Sequence, residues 1–240
     1  MYFGYYYFDP LYGLVLIAML LSLLAGARVN STFKKYSRVR NRRGMTGADA
    51  ARAVLAANGV RDVRIERVSG NLTDHYDPRS DVIRLSESVY GNTSVAAVGV
   101  ACHEAGHAVQ HAENYAPVKI RAAIIPVTNI GSRLAIPLII LGILLNSLAS
   151  APEFLVIAYI GVACYGLCTL FQLVTLPTEF DASRRALRCI ESYGILGSEE
   201  IGGARRVLTA AAMTYVAALA VSLMQLLRLF LMVSGNSRRR

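Results

Sequence analysis

The sequence predicts a mainly α membrane protein: three to four transmembrane helices and a small α+β domain in which a short antiparallel strand pair lies next to a histidine-bearing helix. Three observations predict this class. Hydrophobic residues make up 54% of the 240 and charged residues only 17%, whereas a soluble domain carries about 25% charged. The apolar residues come in long uncharged blocks, which suit insertion into a bilayer better than an oversized soluble core. Two runs of alternating polarity precede a stretch of helical period containing "HEAGH".

Residues 1–10, "MYFGYYYFDP", read as an interfacial aromatic belt. Residues 11–27 are uncharged and long enough for a first span, so residues 1–28 form an N-terminal transmembrane helix. A signal peptide is disfavoured, because the cationic cluster follows the apolar stretch instead of preceding it. Residues 29–117 turn polar. In them "TGADAARAVLAAN" is a helix opened by a capping box, Thr46 with Asp49, and stopped by Gly59. "DVRIERV" and "DVIRLSESV" read as the antiparallel strand pair, joined by "SGNLTDHYDPRS", and from Ser94 the helical period carries the histidines. Residues 118–177 form a transmembrane helical hairpin, with spans at 134–149 and 154–177, a turn at "SLASAPE" and kinks at Pro126 and Pro137. Residues 178–206 are polar and helical, opened by a second capping box, Thr178 with Asp181, and interrupted at Gly194 before a last helix begins at Ser198. Residues 207–240 are the apolar end of that helix, broken by Arg228, and a basic tail.

The net charge of +9 does not form a recognition face for nucleic acid. Its residues flank apolar blocks, as at Arg28, Lys34, Lys35, Arg38, Arg40, Arg42 and Arg43, where they act as orientation signals toward a lipid bilayer. They put the polar segments on the cytoplasmic side of a multi-pass protein of the cytoplasmic membrane. The four cysteines, Cys102, Cys164, Cys168 and Cys189, form no disulfide framework and read as packing residues.

"VACHEAGHAVQH", residues 100–111, holds three of the four histidines. His103 and His107 are i and i+4, so both imidazoles leave one helix face and can reach a single zinc ion. Glu104 follows the first of them, placed to act as general base on a water that the metal activates. His111 lies two turns beyond His103, about 12 Å of helix rise, too far for ligands each about 2 Å from one ion. A third ligand must come from elsewhere. Glu179 is preferred, because an even number of spans returns the chain to the side it left. His75 and Asp77 in "TDHYDP" compete with it, and Asp181 points away from Glu179 on a helix, so one of that pair ligates. Glu113 reads as solvated.

The blocks "SGNLTDHYDPRSDVIRLSESVY", "VACHEAGHAVQHAENYAP" and "FQLVTLPTEFDASRRAL" resemble the YugP-type neutral zinc metallopeptidases of bacterial membranes, over about residues 41–229. More distantly the chain is similar to HtpX-like and CAAX-processing membrane proteases, in which HExxH, a helical hairpin and a ligand glutamate follow one another. The resemblance implies a zincin-like catalytic domain, one zinc ion per chain, ligation by His103, His107 and Glu179, and Glu104 as catalytic carboxylate. It departs at Ser183, where the wider group often has an aspartate that would orient a ligating imidazole; Asp181 is the available substitute. The expected activity is hydrolysis of a peptide or membrane-protein substrate, added as a strand alongside residues 81–87, with His75 or Tyr76 stabilising the oxyanion. The rival reading is a non-enzymatic membrane scaffold or adaptor with a structural zinc site, which would use four protein ligands.

Overall fold

A computed structural model describes residues 10–238. Residues 1–9, which hold the tyrosines of the expected aromatic belt, and the last two arginines lie outside them. The chain is mainly helical: α1 (Pro10–Tyr36), α2 (Gly47–Ala57), β1 (Arg64–Val68), β2 (His75–Asp77), β3 (Val82–Ser86), α3 (Val95–Ala112), α4 (Ala116–Ala149), α5 (Leu155–Ser192) and α6 (Ser198–Arg238). Among the described residues, α1, α4, α5 and α6 are each long and apolar enough to cross a membrane. The chain divides into two compact units, one within Met1–Leu24, Arg121–Val174 and Val216–Arg240, the other comprising Ala25–Ile120 and Thr175–Tyr215.

The first unit is apolar on its outside. Leu16, Ile17, Leu20, Leu21, Ile140, Leu144 and Leu148 are exposed, while Ile139, Ala158, Val162, Leu229 and Val233 are buried together. That distribution suits a hydrocarbon solvent, in which backbone satisfaction and close helix contact replace the hydrophobic effect. Small residues make the contacts: a Cβ on Gly161 would stand 2.6 Å from the Ala135 carbonyl oxygen, and one on Gly142 would strike the backbone of Ala158. The Thr169 and Ser222 hydroxyls bond at 2.7 Å, and the Arg228 guanidinium sits 4.8 Å from the Tyr12 ring centroid. Pro126 and Pro137 lie inside the continuous helix α4.

The second unit is built around α3. Its buried face is made of small residues, among them Ala97, Ala101, Ala105 and Ala108, which pack with Ala50, Ala51 and Val54 of α2 and with Ile83 and Leu85 of β3. The capping box at Thr46 and Asp49 is present, and Ser94 caps α3 by accepting from the Ala97 amide.

Three expectations about this unit fail. The strands of "DVRIERV" and "DVIRLSESV" are not an antiparallel pair: β1 and β3 run parallel, Arg64 opposite Val82 through Val68 opposite Ser86. The long connection between them carries a third strand, β2, which pairs antiparallel with β3 from its other side, giving the order β1-β3-β2. Parallel neighbours require such a crossover. Because β3 is central, a peptide cannot add alongside residues 81–87, and the open edges belong to β1 and β2. The second capping box is absent too, since α5 runs unbroken through Pro177 and Thr178 to Ser192. The proline ring cost one backbone hydrogen bond without ending the helix, so Glu179 lies in mid-helix.

Candidate metal centre

His103, Glu104 and His107 lie within α3, on the stretch around Gly106 that packs against α5. Gly106 makes that approach possible, because a Cβ there would stand 2.7 Å from the Ala182 carbonyl oxygen. The crossing brings Glu179 and Ser183, one turn apart on α5, over the two imidazoles.

Among the described residues, His103, His107 and Glu179 form a group whose ligand atoms all lie within 4.8 Å of one another. The Glu179 carboxylate is 3.3 Å from His103 Nε2 and 3.5 Å from His107 Nε2, and its side chain is 4% exposed. Ligands about 2 Å from one tetrahedral ion stand about 3.3 Å apart, and the two distances from Glu179 to the imidazoles are close to that separation. The donor set fits as well: two imidazole nitrogens and one carboxylate leave a fourth position open, the pattern of catalytic and not structural zinc.

The imidazoles are held from behind. Gln110 donates its Nε2 to the Thr178 carbonyl at 2.9 Å and to Asp181 at 2.8 Å. Its Oε1 therefore faces His107 Nδ1, 3.0 Å away. Since Oε1 only accepts, Nδ1 carries the proton and Nε2 keeps its lone pair for a metal. Ser183 Oγ lies 3.1 Å from His103 Nδ1, doing for His103 what an aspartate was expected to do. Asp181 acts one step back: it anchors Gln110 and accepts from Arg185 Nε at 2.6 Å. Burial disfavours a charged His107, but the hydrogen bond to Glu179 and the charges of Glu104 and Glu179 outweigh it, so its pKa lies above the ordinary value of 6.5.

His103, Glu104, Glu179 and Ser183 line one end of a cavity, together with Asp74. Asp74 was missed by the sequence reading, which chose its neighbours. Its Oδ1 accepts from the Ser86 amide at 2.7 Å and its Oδ2 from the Ser86 hydroxyl at 3.0 Å. Burial first, with the Glu104 charge as a lesser cause, pushes its carboxyl above the ordinary value. Strand alternation explains the miss: residues 74 and 76 share one side, and 75 and 77 the other.

His75 is exposed on β2, its Nδ1 2.9 Å from the Thr73 carbonyl oxygen, and does not line that cavity. Asp77 faces Arg84, at 3.0 Å. Tyr76 points toward α3 instead. Its hydroxyl donates to Asp81 at 2.8 Å and lies 3.1 Å from His111 Nδ1; with the phenolic proton committed to Asp81, His111 Nδ1–H is the donor. His111 is thus held on the exposed side by Tyr76, outside the ligand group. Glu113 is exposed, as expected, and also pairs with Arg185 at 2.6 Å. Cys102 is fully buried and its thiol is pushed up by desolvation, with Cys189 as a lesser cause, as suits packing.

The signal for Gln110 was present in the sequence as its i,i+3 spacing from His107. For Ser183, whose contact crosses from α5 to α3, the signal lay in the family resemblance, which marked its position as that of an imidazole-orienting residue, and not in local spacing.

The chain is 46% identical over 225 residues to the "Putative membrane protease YugP" of Bacillus subtilis (strain 168), a match covering 94% of this chain and 96% of that protein. No solved structure matches it. The family described as "Putative neutral zinc metallopeptidase" matches residues 11–234, and the paired histidines with a buried glutamate between them are a donor set suited to that metal. The chain belongs to this zinc metallopeptidase family.

Proposed function

We propose that the chain is a membrane-embedded zinc endopeptidase in which Glu104 is the general base, working on the cytoplasmic side of the membrane. The observation that carries the reading is the convergence of His103, His107 and Glu179 within 4.8 Å, with Glu104 lining the same cavity. Those three residues would hold one zinc ion. When bound, zinc supplies Lewis acidity, polarising a carbonyl and lowering the pKa of water to about 7. Glu104 takes the proton of the attacking water and returns it to the departing amine. Gln110 and Ser183 keep both Nδ1 atoms occupied, so the Nε2 atoms stay directed at the ion. Asp74 narrows the cavity beside Glu104 and, bonded to Ser86, fixes the end of β3.

A substrate peptide would pair with the open edge of β2. The oxyanion role is proposed for His75 or Tyr76 of that strand, both of which lie outside the cavity that Glu104 lines. The cytoplasmic orientation rests on the arginines and lysines that follow the first apolar block. A fourth protein ligand would favour the structural-zinc scaffold, but the group contains three among the described residues.

The test is Glu104→Gln in purified full-length protein. Zinc should stay at one per chain while hydrolysis of an unfolded protein substrate falls by at least about 100-fold. Hydrolysis at the wild-type rate would sink the assignment.

A further inference from the structure

The cavity that ends at Glu104 has a volume of about 180 Å³. An apolar cavity of about 150 Å³ in another protein stays dry and accepts a benzene ring, so this one has room for a leucine or phenylalanine side chain. Away from the metal ligands its walls are apolar: Val29 and Phe33 of α1, Leu72 of the β1–β2 loop, and Val207, Leu208 and Ala211 of α6. No lysine or arginine lines it. Its carboxylates, Asp74 and Glu104, disfavour an acidic guest; both oxygens of Asp74 are engaged by Ser86, and Glu104 is committed to the general-base role proposed above.

The loop forming one wall is built under constraint. Leu72 has φ 56° and Gly70 φ 106°. A side chain at Gly70 would also meet Thr73 Cγ2 at 2.9 Å. A leucine in the left-handed region is uncommon, and such conformations persist where the surroundings over-determine them, often at ligand clamps. The constraint turns Leu72 into the cavity and sets Asp74 beside Glu104.

We infer that this cavity is the specificity pocket of the enzyme, taking one aliphatic or phenyl side chain of the substrate, next to the bond cleaved. The inference rests on the metallopeptidase reading above. It makes Leu72 and Ala211 specificity-determining residues: Leu72 closes the wall, and the small side chain of Ala211 leaves the space.

Binding, and not turnover, tests it. Full-length protein in lipid nanodiscs is loaded with cobalt, and the visible cobalt bands are followed during titration with the hydroxamates of glycine, leucine, phenylalanine, lysine and 2-naphthylalanine. Leucine and phenylalanine hydroxamates should bind about ten- to hundredfold tighter than glycine hydroxamate, as burial of such side chains predicts. Ala211→Leu fills the cavity. It should bring leucine to within about threefold of glycine, with cobalt content and glycine affinity unchanged. Leu72→Ala enlarges the cavity, and should weaken leucine binding and admit 2-naphthylalanine; it carries the test if Ala211→Leu does not fold. Equal binding of glycine and leucine by wild type, tighter binding of lysine than leucine, or an unchanged order in both variants overturns the pocket while leaving the metal site standing. Failure of the wild-type chain to bind cobalt overturns both.

Discussion

At the scale of single residues, the centre depends on groups that touch no metal. Ser183 meets His103 Nδ1 and Gln110 meets His107 Nδ1, and loss of such a support costs about 10- to 100-fold in metal affinity. Ser183→Ala should therefore weaken zinc binding by that factor, read by competition with a chelator, while Ser183→Asp should restore it because a carboxylate accepts the same Nδ1–H. Equal affinity in all three forms would show that Ser183 orients nothing. His75→Ala is the complementary case. If His75 stabilises the oxyanion, kcat should fall about 100- to 1,000-fold with zinc content unchanged; a kcat within twofold of wild type removes it from the reaction.

At the scale of elements, the crossing of α3 and α5 decides the geometry. Gly106→Ala puts a methyl 2.7 Å from the Ala182 carbonyl oxygen, and the backbone of α5 must move. Overpacking of this kind costs about 1–3 kcal/mol. Thermal stability should drop, and zinc affinity should fall with it because Glu179 and Ser183 flank Ala182. An unshifted melting temperature would mean the helices are not in contact there. The β2–β3 turn offers a pH test. Asp77 is held well below the ordinary carboxylate range, first by the Ser80 hydroxyl, then by the Arg79 amide and the Arg84 guanidinium. A depressed native pKa favours the fold above the unfolded value of 3.8 and is lost as pH falls through the native value. Wild-type stability should thus decline more steeply below about pH 4 than that of Asp77→Asn, as followed by thermal melts; parallel declines would refute the turn's contribution.

At the scale of the whole molecule, the prediction concerns sidedness. The α3–α4 corner and the α4–α5 turn are separated by one long apolar helix, α4. With a cytoplasmic active site, a cysteine at Asn114 should react with an impermeant maleimide only in inverted vesicles, and one at Ser150 only in right-side-out cells. The reverse pattern would place the centre outside the cytoplasm.

Some features needed only local sequence. Long uncharged blocks marked the apolar helices, the 3.6-residue period put His103 and His107 on one face, and helix rise separated His111 from them. The capping box of α2 was legible because its partners lie three residues apart. What the tertiary structure decided involves residues far apart in the chain. A polar turn after Pro177 looked like a helix start, yet α5 continues, because packing on α3 outweighs one missing backbone bond. The strand order β1-β3-β2 depended on a strand of three residues, too short to show a period. Asp74 in place of its neighbours follows from strand alternation, and the meeting of Ser183 and Glu179 with the histidine pair follows from the close approach of α5 to α3 that Gly106 allows. Periodicity reports which face a residue occupies; only the folded chain reports what that face meets.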